Sequence, residues 1–87
     1  MTRSVYTERY ERFRALTIEA RKKAGASQVD LARKVRRPQS YVSKYERGER
    51  RIDVVEFLEL AEALGMDPAA VMRRLRLPRG RRTGTQP

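Results

Sequence analysis

Apolar residues along this chain recur at spacings of three and four, and nowhere alternate with period two over a useful length. That is the pattern of helices buried by one face. Helix 1 is predicted from about Thr7 to Ala24, with Tyr6, Tyr10, Phe13, Leu16 or Thr17, Ala20 and Ala24 on its buried stripe. Gly25 follows where a left-handed C-terminal cap belongs. Helix 2 begins after Ser27, whose spacing to Asp30 has the form of a capping box ahead of Val29, Leu31, Ala32 and Val35. Helix 3 starts at Pro38 or Gln39, because Pro is tolerated at a helix entrance, and ends before Gly48. Helix 4 starts at Asp53, again with an acid (Glu56) three residues on. It is expected to bury Val54, Phe57, Leu58, Ala61 and Leu64 and to stop at Gly65. Helix 5 runs from Asp67 and Pro68 to about Leu77. The expectation is one all-α domain over residues 1–77, followed by a basic tail, PRGRRTGTQP (78–87), with no apolar residue to bury and hence disordered.

The stretch SQVDLARKVRRPQSYVSKYERGER, Ser27 to Arg50, sets two short amphipathic runs about four residues apart. So tight a turn fits two helices locked at a fixed angle, the first holding up the second. On a wheel of about 100° per residue with Gln39 at zero, Ser43 falls at about 40°, Arg47 at about 80°, Ser40 at about 100° and Lys44 at about 140°. Val42, Tyr45 and Tyr41 lie on the other side, and Glu46 lies on the margin of the polar face, at about 340°. Any surface helix is amphipathic, but this polar face offers Gln, Ser, Ser, Lys and Arg with no acid among them. Gln can make paired bonds to adenine and Lys can donate to guanine, so the face suits a major groove about 12 Å wide. The plain alternative is an ordinary helical hairpin in a bundle.

Composition narrows the choice. With 87 residues the chain has room for one small core. No Cys and no His leave neither a disulfide framework nor thiolate or imidazole metal ligands, and remove the commonest general base. The expectation is therefore no enzyme, no metal and no cofactor. No apolar run approaches a membrane span or a signal-peptide core, so a cytoplasmic protein is expected. The net charge of +10 is gathered in blocks. Residues 53–72 carry five acids and no base, whereas residues 73–87 carry six Arg and no acid. Such clustering favours a polyanion as partner.

From Arg21 to Leu64 the chain resembles the Cro/C1-type (Xre) helix-turn-helix family. The residues that carry the likeness are R-x-x-x-G-x-S-Q from Arg21, then Leu31–Ala32, then QSYVSKYERGER (Gln39 to Arg50), and FLELAEALG in helix 4. The resemblance implies a five-helix bundle of the lambda-repressor-like type, with the helix-turn-helix over 28–47. It implies base contacts by Gln39, Ser40 and Lys44, with Ser43 reading a base or a phosphate. Gln28 matches a residue that touches phosphate and braces the first residue of helix 3. Arg47, Arg50 and Arg51, around Gly48, match backbone-contacting positions, and Arg37 in the turn is a further phosphate candidate. Arg21 and Glu46 match an ion pair tying helix 1 to helix 3. Tyr41 stays open, as core edge or as a hydroxyl on a phosphate. One departure stands out: Arg36 occupies a turn position where the family commonly has Gly.

The implied function is a sequence-specific double-stranded DNA-binding regulator of transcription, such as a repressor, working as a homodimer on a pseudo-palindromic operator. Helix 5 is a candidate for the dimer surface, and the acids of helix 4 are expected to point away from DNA. The alternative is an antitoxin that binds a toxin through its acidic segment and also binds its own operator. A restriction–modification controller is compatible with this size as well. RNA is disfavoured, because its deep, narrow major groove excludes a helix.

Overall fold

A computed structural model of the chain describes the backbone of residues 5–76 and the side chains of residues 8–76. The side chains of Tyr6 and Thr7, together with Leu77 and the expected tail, lie outside the described residues. Within them the chain is all-α: α1 (Val5–Lys23), α2 (Gln28–Lys34), α3 (Gln39–Glu46), α4 (Val54–Leu64) and α5 (Pro68–Leu75).

Side-chain caps set the starts of α2, α4 and α5. Ser27 Oγ accepts from the Asp30 amide at 3.0 Å while the Ser27 amide donates to Asp30 Oδ2 at 2.9 Å. Asp53 and Glu56 repeat this reciprocal box at the start of α4, at 2.7 and 2.9 Å. Asp67 caps α5 through the Ala69 amide, with Pro68 in the first turn. A cap of this kind contributes about 1 kcal/mol. α4 ends at Gly65, whose φ of 68° is open to glycine without the Cβ clash other residues meet.

The core centres on Phe13, whose ring meets Phe57 edge-on at 5.0 Å and Tyr45 at 6.4 Å. Leu31, Ala32, Tyr41, Val42, Leu60, Ala61 and Val71 complete it. α2 and α3 lie against each other, joined by a turn in which the Arg37 amide donates to Ala32 O. Arg36 sits in that turn at φ 60°, the left-handed region that costs a Cβ-bearing residue about 1 kcal/mol relative to Gly. The helix-turn-helix therefore keeps the turn geometry that Gly would favour and carries Arg there at some strain.

Two stripes differ from the expectation. In α1, Ala24 is exposed, and of the two residues left open Thr17 is the buried one and Leu16 is half-buried. In α4 the buried residues are Phe57, Leu60 and Ala61, whereas Val54 and Leu58 are 72% and 40% exposed. α4 is apolar around most of its circumference, so periodicity fixes its helicity but not its phase; packing against α1 and α2 decides which apolar side turns in. On α5, Val71 is buried and Met72 is exposed.

Candidate nucleic-acid interface

α3 is the helix whose polar face the sequence singles out, and the structure presents that face. Gln39, Ser40 and Lys44 are exposed; Ser43 is half-buried, its hydroxyl 3.4 Å from Ser40 O. Behind them Tyr41, Val42 and Tyr45 are buried at 7%, 1% and 3% exposure. Tyr45 Oη lies 2.5 Å from Thr17 Oγ1, which itself donates to Arg14 O at 2.8 Å, so the tyrosine is the donor of the pair. Burial pushes the Tyr45 phenol well above its ordinary value, so it stays protonated and keeps donating.

The only acid of α3 is turned away from this face. Glu46 accepts from Arg21 Nε at 2.7 Å and Arg21 Nη2 at 2.9 Å, and from Gln28 Nε2 at 2.9 Å. Side-chain exposure is 11% for Arg21 and 8% for Glu46. The hydrogen bond to Glu46 raises the Arg21 pKa above its already high value, against the lowering effect of burial. Arg21 also reaches Ala26 O, and Arg14 donates to the Glu46 carbonyl at 2.5 Å while pairing with Glu11. α1 thus clamps the last turn of α3 through both the side chain and the backbone of Glu46. The Gln28 amide braces that same last turn, not Gln39 at the helix start. Sequence reasoning did not single out Arg14: its pair with Glu11 is local, but the Glu46 carbonyl it grips is 32 residues away and no local pattern marks that contact.

The arginines flanking α3 are paired rather than bare. Arg47 makes a fork-on-fork contact with Glu49 at 2.9 and 3.0 Å, both side chains 54% exposed. Arg50 donates to both oxygens of Glu56, at 3.2 and 3.4 Å, and Arg37 donates to Glu59 at 3.1 Å, with Glu56 at 3.7 Å. The guanidiniums of Arg37 and Arg50 both stack on the Tyr41 ring, at 4.8 and 4.6 Å from its centroid. Arg51 is exposed, its guanidinium 4.3 Å above Tyr10. These contacts raise the pKa of Arg50, chiefly through its hydrogen bond to Glu56, and hold Glu56 below its ordinary value for the same reason. The acids of α4 do not all point away from the basic flank: Glu56 and Glu59 are directed into it.

Among the described residues no group of three His, Asp or Glu could hold a metal, and no helix is long and apolar enough to cross a membrane.

A short helix held outward on a second one, joined by a tight turn and flanked by arginines, defines a helix-turn-helix DNA-binding protein. The helix-turn-helix family profile matches residues 18–71, more than half of the chain. Among solved structures, the chain is similar to an XRE-family like protein from Pseudomonas syringae pv. tomato str. DC3000, at 44% identity over 82% of this chain and 87% of that one, with a TM-score of 0.79. The wild-type restriction-modification controller protein C.Esp1396I shares the fold at 22% identity, a TM-score of 0.67 and coverage of 74% and 84%. No curated protein matches the sequence. The chain belongs to the Cro/C1-type (Xre) helix-turn-helix family and is a DNA-binding transcription regulator.

Proposed function

We propose that the protein regulates transcription by placing α3 in the major groove of a specific operator, as a homodimer on a two-fold symmetric site. The observation that carries this reading is the polarity of α3: Gln39, Ser40 and Lys44 face outward, while Glu46, its sole acid, is drawn inward by Arg21 and Gln28. An acid left on that face would repel phosphate; withdrawn, it leaves amide, hydroxyl and ammonium groups for base edges. Gln39 and Lys44 are the principal readers, Ser40 and Ser43 the lesser ones. Gln28, Arg37, Arg47, Arg50 and Arg51 take backbone positions, which fix register without reading sequence. Two copies would meet through the apolar outer side of α4 and α5, where Val54, Val55, Leu58 and Met72 are exposed, leaving half-sites about 34 Å apart or a multiple of that.

Selection of bound duplexes from a random library tests the reading. A two-fold symmetric consensus is expected. On the selected site Gln39→Ala and Lys44→Ala should each cost roughly 1–3 kcal/mol and blur base preference at the positions they touch. Undiminished affinity in both variants removes α3 from the reading role.

A further inference from the structure

Arg37 in the turn, Tyr41 on α3 and Arg50 in the following loop form one cluster, and Glu56 and Glu59 of α4 close it. Tyr41 lies about 60° around α3 from Lys44, so the cluster adjoins the reading face. Its charges balance internally, two guanidiniums against two carboxylates. Its hydrogen bonds do not. Tyr41 Oη and Arg37 Nε are both buried donors without a partner. Tyr41 as a whole is only 7% exposed. Buried donors are normally satisfied, and an oxyanion brought to this cluster would offer acceptors to both. The donors gathered here, two guanidinium forks and a phenol, suit an oxyanion with several oxygens.

We propose that Glu56 is an internal stand-in for a DNA backbone phosphate: it holds Arg37 and Arg50 against Tyr41 in the free protein, and a phosphate takes its place on binding. The proposal rests on the DNA-binding reading above and adds to it a residue that restrains binding. Glu56 is a positioning residue. By occupying the arginines it lowers affinity for every duplex alike, so that a site must also satisfy Gln39 and Lys44 to be held. Its liberation on binding takes up a cation, which offsets part of the counterion release that phosphate contacts produce. Glu59 has the smaller share, since it reaches Arg37 alone.

Glu56→Gln separates the charge from the fold, because Gln at this position still completes the capping box with Asp53. The probe is a labelled duplex of mixed sequence, titrated at several salt concentrations. Compared with the wild type, Glu56→Gln is expected to bind about three- to tenfold more tightly at low salt. Its plot of log affinity against log salt should steepen by about 0.9. Glu62→Gln removes the same charge elsewhere on α4 and is expected to change neither quantity by as much. In an Arg37→Ala, Arg50→Ala background the gain from Glu56→Gln should vanish. Tyr41→Phe, which keeps the ring and loses the hydroxyl, should weaken binding without lowering Tm. The proposal is overturned if Glu62→Gln matches Glu56→Gln, or if the gain survives loss of both arginines; either result marks a general charge effect. It is also overturned if Glu56→Gln binds as the wild type does. Failure of the wild type to bind any duplex, the selected consensus included, overturns the DNA reading itself.

Discussion

The protein uses the same chemical pair, arginine with glutamate, on two sides of one short helix for opposite purposes. At the α1 side, Arg21 and Glu46 meet with 11% and 8% of their side chains exposed, and Gln28 fills a further place on the carboxylate. At the α4 side and the loop, the arginines are far wetter: Arg37 is 34% exposed, Arg50 38% and Arg47 54%. Burial decides what each pair does. Withdrawn from water, a charge cannot be left alone, so the Arg21–Glu46 contact is obligatory and fixes where α3 lies. Near water a pair gains little from its Coulomb attraction and is readily exchanged, so its arginine stays available for another anion. Holding the helix and serving its ligand are thus divided between two faces of one element.

The comparison breaks first, and most visibly, at Glu46. Glu46→Ala strands the Arg21 guanidinium and removes the acceptor of Gln28, at a cost of about 3 kcal/mol. For a domain of this size that lowers Tm by more than about 10 °C, measurable by calorimetry or circular dichroism. Glu49→Gln, which breaks the exposed pair with Arg47, should leave Tm unchanged. Equal losses in the two variants would show that burial is not what separates these pairs.

The uneven legibility of the sequence has the same root. Features set within a few residues could be read in advance: both capping boxes, the glycine ends of α1 and α4, and the polar face of α3. The likeness to the Xre family added the Arg21–Glu46 pairing, which no local pattern reveals. What remained hidden depends on contacts across the chain. Leu58 and Leu60 are equally apolar, and only the packing of α1 and α2 on α4 selects Leu60. Thr17 outranks Leu16 in depth because its hydroxyl has Tyr45 to bond. Tyr41 is a buried ring with arginines stacked on it, a position that needs Arg37, Arg50 and α4 in place first.

A smaller effect lies in the turn that sets the pitch of α3. Arg36 holds φ 60°, with its amide donating to Arg33 O at 3.1 Å. Arg36→Gly should raise stability by about 0.5–1 kcal/mol, the relief of strain being partly offset by the greater freedom of Gly in the unfolded chain. Because the turn conformation is unchanged, affinity should fall only by what one lost positive charge explains. A larger loss of base preference would mean that Arg36 helps orient α3 and that the helix depends on its turn as well as on Arg21.

Acid pH acts on the more exposed pairs, through Glu56. The hydrogen bond from Arg50, then that from the Asp53 amide, hold the Glu56 carboxyl below its ordinary value of 4.5. A group whose pKa is lower in the folded state contributes stability above its unfolded value and loses it as the pH falls through the folded one. The contribution of Glu56 is therefore intact at neutral pH and fades as the pH drops below 4.5. Between about pH 6 and about pH 3, the Tm of the wild type should fall more steeply than that of Glu56→Gln, which has no proton to gain at that position. Parallel Tm profiles for the two proteins would mean that the arginines hold Glu56 too loosely to matter in the free chain, and the wet pairs would then be bystanders rather than a restrained ligand site.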